Sequence, residues 1–154
     1  GIGTEPDIPE SFIWYEKAGS AGHKESQHAL GIAYLQGNHV EKNEKKAFEW
    51  FSKAAEGGYA KSQYEIGLMY YKGINVEASQ KDSLHWCTKA AKAGHPEAQF
   101  TLGMFYATGE GVEENMKTAI EWMEKAGNNG VVDAQFNLGI CYDTGNGVEK
   151  NDAT

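Results

Sequence analysis

The sequence contains little cysteine and no glycosylation sequon. Cys87 and Cys141 are its two cysteines among 154 residues, and no Asn-x-Ser/Thr triplet occurs. Two cysteines this far apart do not form the framework that staples small secreted domains. Their scarcity favours the cytoplasm as the compartment, with the endoplasmic-reticulum lumen as the alternative.

Long apolar runs and an excess of positive charge are also lacking. No stretch approaches the length of a membrane-spanning helix, and no signal-peptide pattern opens the chain, although a leader or anchor could lie outside it. The formal net charge of −8 disfavours a phosphate backbone as a partner. A hydrophobic fraction of 40% still predicts a folded core. We therefore expect no nucleic-acid binding and no membrane insertion by this segment.

Catalytic and metal-binding motifs are absent as well. The sequence has no His-Glu-x-x-His motif, no paired-cysteine motif and no nucleophile elbow. Its Gly-x-Gly loops lack the Lys-Ser/Thr pair of a phosphate-binding loop. His23 and His95 share one loop position, and we interpret them as ordinary loop residues. The sequence thus predicts no catalytic residue, no metal, no cofactor and no enzyme.

The dominant feature that is present is an internal repeat of 36 residues. The stretch "GIAYLQG" at Gly31 returns as "GLMYYKG", "GMFYATG" and "GICYDTG". Such a fixed period indicates a repeat architecture. The strictest columns are Gln27, Gln63, Gln99 and Gln135; Gly31, Gly67, Gly103 and Gly139; Tyr34, Tyr70, Tyr106 and Tyr142; and Trp14, Trp50, Trp86 and Trp122.

Each repeat is predicted to form two helices. Gln27, Gly31 and Tyr34 fall on one face of the first helix. A glycine inside a helix costs about 1 kcal/mol relative to alanine, so its recurrence predicts the close approach of a neighbouring helix. We expect the tryptophan of a second helix, such as Trp50 or Trp86, to lie near that glycine.

Local signals mark the ends of these helices. The glycine that follows each tyrosine column is expected in a left-handed conformation, and His39 and Asn75 replace a second glycine of the following loop. Each second helix is expected to begin after a polar N-cap and to end near a glycine. The N-caps are Asn43, Ser79, Asn115 and Asn151, and the terminating glycines are Gly58, Gly94 and Gly130.

A pair of short helices cannot bury its apolar face alone, so neighbouring pairs must stack. The predicted fold class is all-α, a solenoid of antiparallel helix pairs with a 36-residue period. The predicted organisation is a single array over 1–154, with 8–25 as a second helix, 26–61, 62–97 and 98–133 as repeats, and 134–154 as a further first helix. Since neither end carries a polar capping helix, we expect a segment of a longer protein, with exposed end faces that allow end-to-end self-association.

The columns within "AQFTLGMFYATGEGVEEN" and "TAIEWMEKAGNNG" resemble the Sel-1-like repeat family, a relative of the tetratricopeptide repeat, over essentially the whole chain. The resemblance implies a right-handed superhelix that acts as an adaptor or scaffold in quality control, signalling or bacterium–host contact. The chain lacks the cysteine pair that a cysteine-rich bacterial branch carries in each repeat. Small-ligand binding or hydrolysis, as in some bacterial relatives, remains an alternative, but the sequence contains neither those cysteine pairs nor a nucleophile motif that would support it.

With tetratricopeptide-like packing, a variable stripe of the first helices lines a concave groove. The first position of that stripe either packs between adjacent first helices or faces a partner, and the sequence leaves both open. An apolar strip rimmed by charge suits a peptide, so we expect a non-catalytic interaction scaffold, with a structural spacer in a larger protein as the alternative. The predicted partner-binding residues are His28, Ile32, Leu35, Tyr64, Leu68, Tyr71, Phe100, Met104, Phe136 and Ile140.

Overall fold

A computed structural model of the protein describes residues 8–148, and within that range the chain forms helices and loops without a strand. The residues group into two compact units that divide between Ala78 and Ser79. The first unit contains α1 (Glu10–Ser20), α2 (Lys24–Gln36), α3 (Glu44–Glu56) and α4 (Ala60–Lys72). The second contains α5 (Gln80–Lys92), α6 (Pro96–Thr108), α7 (Met116–Asn128) and α8 (Val132–Thr144). Within each unit every helix packs on the next one along the chain, and the predicted all-α class is confirmed.

The predicted helix ends are confirmed wherever the chain is described. Gly37 and Gly73 end α2 and α4 with φ values of 73° and 70°. His39 and Asn75 adopt φ values of 64° and 61°, the left-handed region that glycine occupies in the later loops. Gly58, Gly94 and Gly130 likewise follow α3, α5 and α7 with positive φ.

Polar N-caps begin the second helices, as predicted. The Asn43 side chain accepts a hydrogen bond from the Lys46 amide at 2.9 Å, and Asn115 accepts one from Thr118 at 3.1 Å. Ser79 plays the same part for α5. Each bond satisfies a backbone donor that has no partner inside its own helix. The predicted cap at Asn151 lies outside the described residues.

Two first helices begin at histidine, which corrects our interpretation of those histidines as ordinary loop residues. Nδ1 of His23 accepts the backbone N–H of Ser26 at 3.2 Å, and Nδ1 of His95 accepts that of Ala98 at 3.3 Å. An imidazole nitrogen can replace the usual hydroxyl or carboxylate cap because it is a hydrogen-bond acceptor when unprotonated. The same column holds Tyr59 and Val131, which make no side-chain cap.

The glutamine column joins each first helix to the second helix before it. The Gln27 side-chain amide donates to the Gly19 carbonyl at 2.9 Å, and the other three glutamines make the equivalent bond. The acceptors are carbonyls near helix C-termini, where intrahelical donors run out. Gln27, Gln63 and Gln99 are buried, so these bonds stabilise the turn from second to first helix inside the fold.

A close contact between α2 and α3 explains the glycine inside the first helix. A Cβ built on Gly31 would lie 2.5 Å from the Phe51 ring, and Phe51 is 0% exposed. The expectation that Trp50 lies near this glycine is wrong, because the three atoms nearest to that Cβ all belong to Phe51. Trp50 instead packs against Gly19 of α1, with a ring carbon 3.2 Å from a Cβ built there. Phe51, one residue further along α3, points at Gly31.

The second unit repeats this contact with different residues. A Cβ built on Gly103 of α6 would lie 2.9 Å from the Met123 side chain and 3.0 Å from the Ala119 carbonyl oxygen of α7. Met123 occupies the same column as Phe51. The rule that governs the junction is therefore a glycine on the first helix facing a large apolar side chain from the next second helix.

Candidate protein-interaction face

The predicted partner-binding residues lie on the first helices of both units. In the first unit, Ile32 and Leu35 of α2 are half-buried, and so is Leu68 of α4. Tyr71, at the end of α4, is 46% exposed. We call these four residues the first-unit strip. They are apolar side chains left partly in water on helices whose opposite faces are buried.

His28 and Tyr64 begin the stripe in α2 and α4, and both are half-buried. The Nδ1 atom of His28 lies 2.9 Å from the Ser62 hydroxyl of α4, and its ring packs 5.5 Å from the Phe51 ring and 5.4 Å from the Tyr59 ring. His28 thus bridges one helix pair to the next within the first unit. No sequence signal pointed to Ser62 as its partner, because that column holds serine in its first two copies and alanine in its last two.

In the second unit, Phe100 and Met104 of α6 are half-buried. Phe136 and Ile140 of α8 are far more open, at 69% and 47% exposed. The difference in exposure between Phe136 and His28 comes from the residues that cover each of them. His28 shares the column of Phe136 but is covered by residues of α3 and the loop after it, whereas no helix after α8 belongs to the described part of the chain.

A partly buried carboxylate lies beside the first-unit strip. Glu65 follows Tyr64 in α4, and burial raises the pKa of its carboxyl group, an effect that the nearby Lys72 ammonium opposes. Because water and salt screen a partly buried charge less than an exposed one, a cationic group brought next to the Glu65 carboxylate would be attracted more strongly than at an open surface. This position therefore suits the basic part of an amphipathic partner.

The described residues offer little chemistry beyond such contacts. Across 8–148, no three His, Cys, Asp or Glu side chains are grouped so that they could share a metal ion. The Cys87 thiol is fully buried, and this burial raises its pKa to about 11. A nucleophilic cysteine requires the opposite shift, toward the thiolate.

The two thiols are expected to differ sharply in reactivity. Cys87 is 0% exposed, whereas Cys141 is partly accessible, and neither is in a disulfide. At pH 8, a thiol-specific reagent should modify one thiol per folded chain quickly and the second only on addition of denaturant. The Cys141→Ser variant should lose the fast phase. Rapid labelling of that variant in its folded state would contradict the burial of Cys87.

Comparison with known proteins agrees with the repeated helix pairs of this structure. The Sel1 repeat model matches residues 1–23, 24–59, 60–95, 96–131 and 132–154. A Sel1 repeat protein from Oxalobacter formigenes is 34% identical with a TM-score of 0.81, over 86% of this chain and 99% of that one. A protective antigen of uropathogenic Escherichia coli strains, with an SLR fold, is 33% identical with a TM-score of 0.90, over 96% of this chain.

The chain spans 32% of the length of that antigen, so it corresponds to part of it. Helicobacter pylori cysteine rich protein B is 25% identical with a TM-score of 0.70, over 90% of this chain and all of that one. These similarities confirm the solenoid class predicted from the repeat, and Sel1 repeats generally serve as protein-interaction modules. The chain belongs to the Sel1 repeat family.

Proposed function

We propose that this chain is a non-catalytic scaffold or adaptor module that binds a peptide segment of a protein partner along its first helices. The main support for this proposal is the exposure of the Tyr71 ring. Its ring is 46% exposed at the end of a helix whose Ile66 and Met69 are buried, and half-buried Leu68 lies one turn before it. An exposed aromatic ring beside apolar neighbours is the type of residue that dominates binding at protein interfaces.

The partner that fits is an extended or helical peptide with an apolar anchor and basic flanks. Its anchor would cover the first-unit strip, and the second-unit residues Phe100, Met104, Phe136 and Ile140 would supply further contacts. The basic flanks would meet a protein of net charge −8, in which Glu25 is exposed and Glu65 half-buried. Affinity should therefore fall as ionic strength rises.

Other partner classes and locations follow the same reasoning. The acidic charge disfavours nucleic acid. Among the described residues, no helix combines the length and the apolar character needed to cross a bilayer. We propose the cytoplasm as the compartment, with the endoplasmic-reticulum lumen as the alternative, because the cysteine usage does not call for an oxidising environment. A second copy of the chain is a further partner, developed below.

Changing Tyr71 to alanine should weaken peptide binding at least tenfold. The loss would arise because the largest exposed anchor of the first-unit strip is removed, and tenfold corresponds to about 1.4 kcal/mol. Peptides would first be enriched from a display library on immobilised chain, and their Kd values then measured by calorimetry at micromolar protein concentration.

Tyr15→Ala is the matched control, because Tyr15 of α1 is 47% exposed and is the same residue type on a second helix. It should leave the Kd of those peptides within twofold of the original value. Equal losses for both variants would refute the placement of the site. A library that yields no enriched peptide would favour the structural spacer.

A further inference from the structure

The two ends of the described chain carry complementary halves of the junction seen inside each unit. Tyr15, Phe51, Cys87 and Met123 form one column of the second helices. Phe51 and Met123 are buried, and each fills the space above a first-helix glycine in its own unit. Tyr15 occupies the same position on α1 but is 47% exposed. Among residues 8–148, no first helix precedes α1 to supply the glycine surface that Phe51 and Met123 cover.

The glycine surface is on α8. Gly139 shares the column of Gly31 and Gly103, yet none of the described atoms comes within 4 Å of a Cβ built on it, apart from its own helix backbone and chain neighbours. Val132, Gln135 and Phe136, which lie on the same side of α8, are all exposed. This face is apolar and has a glycine at its centre, as the α2 face under Phe51 does.

A second feature of this end matches a second side chain of α1. A cavity of about 330 Å³ lies beside α8, lined by Glu124, Gly127, Asn128, Gln135, Leu138 and Tyr142. In the first unit, the same repeat positions as Gly127, Gln135 and Leu138 are held by Gly19, Gln27 and Leu30. These three residues lie together, and the Trp50 ring packs against Gly19 beside them. The α1 residue in the Trp50 column is Trp14, which is 58% exposed.

Trp14 already makes the intrahelical contact of its half-buried equivalent. Lys17 Nζ lies 4.4 Å from the Trp14 ring centroid, and Lys53 Nζ lies 4.4 Å from that of Trp50. The same attraction between a cation and the indole face therefore acts in both helices. Docking would therefore require little rearrangement of the exposed tryptophan.

We propose that α1 of a second copy of this chain docks on α8, with its Tyr15 over Gly139 and its Trp14 in the cavity beside Gly127. The contact reproduces, between molecules, the junction that α2 and α3 make within the first unit. Such an interface is heterologous, because different surfaces of the two copies meet, and it can add copies head to tail without limit. It shares Phe136 of α8 with the proposed peptide contacts but uses no residue of the first-unit strip, so either proposal can fail alone.

The test uses the chain of residues 1–154 in sedimentation velocity and light scattering over a concentration series. The wild type should form dimers and longer species as its concentration rises toward roughly 1 mM, the range of weak complexes. Gly139→Gln should reduce the association constant at least tenfold by filling the docking surface. Its folding should be unaffected, because nothing described lies near that position. Asn137→Gln, on the opposite side of α8, is the matched control and should associate like the wild type.

A mixing experiment tests the head-to-tail geometry. The double variant Trp14→Ser/Tyr15→Ser removes the inserting side chains, and Gly139→Gln blocks the receiving face. Each variant alone should stay monomeric. Mixed in equal amounts they should form a dimer and nothing larger, because one intact α1 and one intact α8 are then available.

Three results would overturn the proposal. A wild-type chain that stays monomeric throughout the series would assign the α8 face to another occupant, such as a further helix pair. Unchanged association of Gly139→Gln would place the contact elsewhere. A mixture that forms no dimer while the wild type associates would exclude the head-to-tail contact. Tyr71→Ala should not alter association, which separates this interface from the first-unit strip.

Discussion

Replacing Phe51 by alanine is expected to lower the free energy of unfolding by about 3–5 kcal/mol, the range for a fully buried aromatic ring. The ring is 0% exposed and lies against the Gly31 backbone and the His28 ring. Its removal leaves a cavity that the first helix cannot fill, because Gly31 has no side chain to offer. The loss would be read from urea denaturation followed by far-UV circular dichroism and by tryptophan fluorescence.

Tyr15→Ala provides the matched control for this prediction as well. The two residues share a column, but Tyr15 is 47% exposed, so its replacement should change the unfolding free energy by about 0.5 kcal/mol or less. Both variants would be measured at low micromolar concentration, where self-association is negligible. If Phe51→Ala lowers the free energy of unfolding no more than Tyr15→Ala does, the Phe51 ring over Gly31 does not hold α2 and α3 together.

The helix ends could be predicted from sequence because their chemistry is local. Asn43 caps α3 through an amide three residues away, and Gly37 ends α2 through its own backbone conformation. Such signals need no knowledge of which helix packs against which. Because the repeats are 36 residues apart, each helix end assigned in one repeat could be assigned at the equivalent position of the others. This is why the fold class could be predicted from the sequence.

The occupant of the glycine surface could not be predicted in the same way. Trp50 and Phe51 are adjacent aromatics, and consecutive helical residues point about 100° apart. The rotation of α3 against α2 decides which ring faces Gly31, and no sequence period records that rotation. The larger side chain was the wrong choice: Trp50 packs on α1 instead.

The candidate site shows the same limit. The spacing of Leu68 and Tyr71 placed both on one stripe of α4, but their exposure differs, with Leu68 half-buried and Tyr71 46% exposed. His28 could have faced a partner or packed inside, and its bond to Ser62 connects α2 to α4. Exposure depends on neighbouring helices, so the sequence could name the stripe without ranking its members. Their role in partner binding stays a prediction.

Within α6, Leu102→Ala should cost about 2–5 kcal/mol of unfolding free energy, whereas Met104→Ala should cost about 1 kcal/mol. Leu102 is 1% exposed, and Met104, two residues later on another face, is half-buried. Leucine and methionine have similar helix propensities, so the propensity change on replacement by alanine is nearly the same for both variants. Urea midpoints of the two variants, at equal denaturant slope, give the difference directly.

The same two variants should show the opposite order in peptide binding. Met104→Ala removes an accessible contact and should weaken a peptide that reaches the second unit, while folded Leu102→Ala retains the whole surface. Comparable stability losses would place Met104 in the core and remove it from the interaction face. A large stability loss at Leu102 with a binding loss at Met104 would instead show that the stripe separates, residue by residue, the side chains that build the repeat from those that are free to meet a partner.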